Sequence, residues 1–245
     1  FDVFLAHYDQ GGRSVWLEKE PTWYNAKVRY SAEEKGFKFK LMQKLLNSSL
    51  LKEYEFVWAL DEDIWLHKAN IPDALRTMRA SGALIATPAF NTDGQGTWYH
   101  HQRPRKDCWW RYTNMIEYIM PLVRTDALKA VLWHCDGCVH NTSAWGLDFV
   151  WCGFAARVLN MDRHRSCLIM DSHIFIHKNW RTLTEKWGTK KEFVSKQLSG
   201  KSWQKGFNSQ ATLDYSDAKR KNRRDWSGKI RTWDCEQRKK GKPRF

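Results

Sequence analysis

Short continuous apolar runs alternate along the chain with helically spaced apolar sets, a pattern that predicts an α/β domain. FDVFLAH (1–7) is short, apolar and β-prone. Residues 37–51 place Phe37, Leu41, Leu45 and Leu46 at helical spacing with lysines between them. YEFVWAL (54–60) is nearly continuously apolar, as in a strand covered on both faces, and stops at Asp61-Glu62-Asp63. After Pro72, DALRTMRAS predicts a helix and GALIATPAF a strand; residues 91–112, rich in Gly, Asn, His and Trp, predict a long loop. MIEYIMPLV (115–123) is strand-like, and Thr125-Asp126 is placed to cap the helix ALKAVLW. The second half of SAWGLDFVWCGFAARVLN is helical, and CLIMDSHIFIHK (167–178) is one long strand or a strand pair. The expected architecture is a mixed, mostly parallel sheet flanked by helices. Ligands of such sheets bind beyond the carboxyl ends of strands, where the acidic triplet lies.

Periodicity fades near residue 196, which divides an α/β domain (1–195) from a basic, Trp-containing extension (196–245). The extension holds 15 Lys or Arg against 5 Asp or Glu, so most of the net charge of +14 belongs to it. Such a tail attracts polyanions or is simply solvated. No run of 18 apolar residues exists, so the sequence contains no membrane-spanning helix. The abrupt strand-like start points to processing or to an upstream segment. Six cysteines permit disulfides, and sequons at Asn47-Ser48-Ser49 and Asn141-Thr142-Ser143 tilt the expectation toward the secretory pathway, the Golgi lumen or the exterior. Cys135-Asp136-Gly137-Cys138 has the spacing of a thiol ligand pair, but no second such pair completes a zinc site.

The candidate chemistry centres on the triplet. Asp61 and Asp63 are two residues apart and point the same way in extended chain. Crowded carboxylates at a strand end repel unless a cation or donors compensate. Hard divalent ions such as Mn²⁺ or Mg²⁺ take carboxylate oxygens and keep positions for phosphate. His177, with His173 as an alternative, ends a strand and offers a further ligand. Asp148 in SAWGLDF is either a general base toward a hydroxyl or a helix-start carboxylate facing the dipole. Of the 15 tryptophans, several sit beside polar residues, Trp110 and Trp145 among them, and suit either packing or stacking on sugar rings.

The ordered set AHYD (6–9), FVWALDEDIWL (56–66), IEYIMPLV (116–123), VLWH (131–134), WGLDF (145–149) and MDSHIFIH (170–177) resembles a plant-abundant domain of unknown function, number 707, whose members look like A-type glycosyltransferases. The match runs over about residues 1–183. The resemblance implies a Rossmann-like, nucleotide-sugar-dependent fold with a DxD-type Mn²⁺ or Mg²⁺ site. Asp61, Asp63 and His177 would hold the metal, with Glu62 beside the donor. Asp148 would be the base that follows a WG motif. His7, Tyr8 and Asp9 would line the nucleotide pocket, Lys40 or Lys38 would meet phosphate, and Trp145 or Trp110 would stack on the acceptor. Family members carry a strand and helix ahead of the AHYD-like strand, so the resemblance implies a domain entered after its first strand–helix unit. The expected activity is transfer of a sugar from a nucleoside diphosphate to an acceptor hydroxyl, on a glycan or another acceptor. The rivals are a polyanion-binding module and a structural pseudoenzyme.

Overall fold

The computed structural model describes residues 1–8, 11–66, 69–90, 102–141, 144, 146–177, 216–227 and 229–237. The chain opens with a small unit: β1 (Val3–His7) pairs in parallel with β2 (Val28–Glu33), joined through α1 (Gly12–Lys19) and α2 (Pro21–Lys27). The larger sheet has the order β3 (Phe56–Trp58), β7 (Leu122–Arg124), β5 (Ile85–Phe90), β8 (Cys167–His177), β6 (Cys108–Thr113), β9 (Thr232–Gln237). A short strand, β4 (Ile64–Trp65), pairs with the end of β8. The sheet is mixed, with helices on both faces. β5 and β8 are parallel, and the other ladders are antiparallel. Following those pairings, β3, β5 and β8 share one direction, so their carboxyl ends share one edge.

Two apolar layers hold the sheet. One side packs α3 (Lys38–Leu45), α5 (Thr125–His134) and α6 (Leu147–Val158) through Phe39, Leu128, Val131, Val150 and Trp151. The other packs α4 (Ile71–Ser81) through Ala74 and Met78 on Ala86, Leu122, Leu168 and Met170. The start of α4 is locally encoded: the Asn70 side chain accepts the Asp73 N–H (3.1 Å), and Gly82 ends the helix at φ 68°.

Four local expectations change. The run 54–60 yields only the short β3, which is half-buried. It lies at the sheet edge with β7 as its ladder partner among the described strands, so one flank of it is open to solvent. The end of the expected loop 91–112 is β6, whose Arg111 is buried because it pairs with Asp171. In 115–123 only the last residues join a strand; Met115, Ile116 and Met120 plug the core from irregular chain. Thr125 and Asp126 fall inside α5 instead of capping it. The Thr125 hydroxyl donates to the Tyr54 carbonyl (2.8 Å), which ties the helix start to the chain entering β3.

The described parts of the basic extension dock on this body. Asp225 accepts from Arg157 on α6 (2.8 Å), and Asn222 Nδ2 donates to the Asp136 carbonyl (2.7 Å). Strand β9 then completes the sheet beside β6. The cysteines form three disulfides, Cys108–Cys235, Cys135–Cys138 and Cys152–Cys167, so the CxxC pair is a disulfide rather than a metal ligand pair. The first spans 127 residues and locks β9 to β6. Replacing Cys108 and Cys235 together by Ser is expected to lower stability by about 2–4 kcal/mol, read as a lower melting midpoint and faster proteolysis of the extension.

Candidate metal centre

Three chain segments meet at the edge shared by the carboxyl ends of β3, β5 and β8. β3 runs into Asp61, whose N–H donates to the Ile119 carbonyl (3.1 Å), and the Ile64 N–H returns to the Asp61 carbonyl (3.3 Å). This turn projects the triplet and feeds β4, which pairs Ile64 with His177 at the end of β8. The consequence is a compact donor set. One ligand atom each from Asp61, Asp63 and His177 lies within 4.8 Å of the others. Asp63 Oδ1 is 3.1 Å from His177 Nε2. Beneath them Phe90, Met120 and Phe175 form an apolar floor that fixes the strand ends. The Phe90 ring centroid lies 6.2 Å from that of His177.

Charge is balanced unevenly. Lys38, the first residue of α3, donates to Asp61 Oδ1 (2.5 Å) and to the Ile119 carbonyl (2.7 Å). Burial pushes the Asp61 carboxyl up and the Lys38 ammonium down, and their pairing opposes both shifts. Glu62 is exposed and accepts from the Tyr8 hydroxyl (2.6 Å), which brings the end of β1 to the triplet. Asp148 is buried in the first turn of α6. Burial raises the Tyr118 phenol, and the negative charges of Asp148, Asp61 and Glu117 raise it further, in that order. Its ring meets Phe39 edge-on at 6.2 Å.

The remaining candidates are more scattered. His7 is buried and shares a 2.9 Å hydrogen bond with the Tyr24 hydroxyl. Lys40 donates to Gln43 (2.8 Å) within α3 and does not join the triplet. Trp110 packs in the α4-side layer, beside Tyr112 and Trp233. His173 Nε2 lies 3.2 Å from Asp73 at the start of α4. Asp9 and Trp145 lie outside the described residues.

Tyr118 and the Ile119 carbonyl were not singled out by the sequence, and Lys38 was named only as an alternative to Lys40 for a phosphate contact. For Lys38 a signal existed. It stands three residues before the buried Leu41 and therefore lies near its helix face, whereas the Lys40 ammonium is taken by Gln43 within α3.

The family described as "Protein of unknown function (DUF707)" matches residues 1–226. The chain belongs to the DUF707 family. The match passes residue 183 and takes in the first docked segment of the basic extension, through Asp225 and Trp226, and ends before β9. No curated protein matches this DUF707 chain. The family description names no activity, so the chemistry is to be read from the donor set itself.

Two carboxylates and one imidazole suit a divalent ion of the Mn²⁺ or Mg²⁺ type, since oxygen donors dominate and no thiolate takes part. The apolar cluster next to His177 also fits, because an apolar surround limits solvent access to a bound ion.

Proposed function

We propose that this protein is a metal-dependent glycosyltransferase with an A-type, Rossmann-like fold, moving a sugar from a nucleoside-diphosphate donor to an acceptor hydroxyl. The observation that carries this reading is the convergence of Asp61, Asp63 and His177 within 4.8 Å at the carboxyl edge of the sheet. A divalent ion bound there would offset the negative charge that develops on a departing diphosphate. Asp61, Asp63 and His177 would hold it. Glu62, held by the Tyr8 hydroxyl, would lie beside the donor. Asp148, buried in the first turn of α6, would take the proton from the acceptor hydroxyl.

A secretory location, the Golgi lumen or the exterior, accompanies this reading. Three disulfides belong to an oxidising compartment, and Asn47 of the first sequon is exposed. Among the described residues no helix is long and apolar enough to cross a membrane.

One observation favours a second reading, a pseudoenzyme that keeps the fold without the metal. Lys38 already places a cation against Asp61. A thermal-shift screen separates the two. With a nucleoside diphosphate at about 100 times its Kd, stability should rise by about 2.7 kcal/mol, but only when Mn²⁺ is present. For a domain of this size that is a shift of roughly 5–10 °C. If no nucleoside diphosphate moves the midpoint with Mn²⁺, the transferase reading fails and the pseudoenzyme stands.

A further inference from the structure

Lys38 is the one lysine or arginine that pairs with the triplet among the described ion pairs. Its ammonium is inserted between Asp61 Oδ1 (2.5 Å) and the Ile119 carbonyl oxygen (2.7 Å), and its side chain is only 19% exposed. An ammonium carries three N–H donors, and these two contacts use two of them. It is also a compact charge on a flexible stem, able to shift between acceptors without moving the backbone.

Asp61 is thus shared. It is one of the three donors that converge within 4.8 Å, and it is also the carboxylate that Lys38 holds. A divalent ion and the ammonium cannot both take full advantage of one half-buried carboxylate, because two cations at that range repel. The ammonium would therefore have to give way when the ion arrives, and a displaced, largely buried ammonium needs a new anion. A diphosphate bridging to the same ion supplies one at the required place. The amino end of α3, where Lys38 is the first residue and no side chain caps the helix, adds positive potential of the same sign.

Building on the metal reading above, we propose that Lys38 is the resident counter-ion of this site, holding Asp61 until a divalent cation displaces it and then pairing with the diphosphate of the donor. In this arrangement one side chain couples the two binding events. It weakens binding of the ion alone and strengthens binding of the diphosphate once the ion is in place. Lys38 is accordingly a specificity element for diphosphate-bearing ligands. A solely structural ion pair, pinning α3 to the strand end, would do neither.

The test uses Lys38→Gln, which can still donate to the Ile119 carbonyl but carries no charge, and Lys38→Met, which keeps the apolar stem. Mn²⁺ binding is followed by the paramagnetic resonance of the free ion, and binding of UDP and of GDP is measured by calorimetry at saturating Mn²⁺. Without nucleotide, the variants should bind Mn²⁺ about tenfold more tightly than wild type, a size typical of one unit charge acting on a close neighbour. With Mn²⁺ saturating, whichever diphosphate binds wild type should bind the variants about tenfold more weakly. Either variant that folds decides the matter. Mn²⁺ bound equally or more weakly by a folded variant overturns the counter-ion role and leaves the metal site standing. Unchanged diphosphate affinity overturns the coupling. Mn²⁺ bound by neither wild type nor variant removes the metal reading together with this inference.

Discussion

On the proposed transferase reading, Asp63→Asn should lower Mn²⁺-dependent donor turnover by on the order of 10²–10³-fold, the usual cost of losing one preorganised electrostatic group at a reacting centre. Asp63 is expected to be more sensitive than Glu62 because of where each side chain goes. Asp63 Oδ1 meets His177 Nε2 at 3.1 Å, inside the donor cluster, whereas Glu62 is exposed and bonded to Tyr8. The substitution is nearly isosteric, so folding should be little affected and the loss should lie in activity. Turnover of the donor with and without chelator, in wild type and Asp63→Asn, is the measurement. Equal chelator-sensitive turnover in both proteins would remove Asp63 from the metal site. Turnover indifferent to the chelator in wild type would remove the metal.

The largest stability effect is expected at a different place. Arg111 and Asp171 form an ion pair at 2.5 Å with side chains 2% and 0% exposed. Asp171 also accepts the Arg105 N–H (2.7 Å), and Arg111 donates to the Arg103 carbonyl (2.9 Å), so the pair anchors the chain that enters β6. Arg111→Met leaves a buried carboxylate without its cation, which costs about 3–5 kcal/mol. The double replacement Arg111→Met with Asp171→Leu should recover much of that loss, since no charge is then stranded.

The pH dependence of the single variant follows from Asp171. Burial raises its carboxyl to about 6 even with Arg111 opposing the shift, and removing Arg111 raises it further. An acid whose folded pKa exceeds its unfolded value takes up a proton on folding. Its penalty is therefore present above the folded pKa and fades as pH falls through it. The deficit of Arg111→Met relative to wild type should be greatest near pH 8 and shrink toward pH 5, as followed by urea midpoints. A pH-independent deficit would place the loss in packing instead of charge.

The triplet was legible in the sequence because a charge cluster abruptly ends an apolar run, and local chain geometry sets the spacing of Asp61 and Asp63. His177 was legible as the end of a long β-prone segment. What brings them together was not. β4 is two residues long, below what periodicity can detect, yet its pairing with β8 sets the distance from Asp63 to His177. β6 was read as loop because its burial depends on a distant partner, Asp171, that turns Arg111 into a core residue. Three disulfides among six cysteines could be paired in many ways, and only the fold selects among them. Lys38 shows the intermediate case. The resemblance offered it as an alternative to Lys40, but its partner lies 23 positions away, on another element.

The bridge between Cys108 and Cys235 has a consequence for biogenesis. During synthesis β6 leaves the ribosome long before β9, which follows 127 residues later. Throughout that interval one flank of β6 stands open, with unpaired amides able to recruit a foreign chain. Only the emergence of β9 lets that margin close, and the disulfide then locks the closure. Closure of this sheet margin thus waits for β9, and folding helpers that shield naked β edges should matter most while the nascent chain is still short of residue 232, where β9 begins.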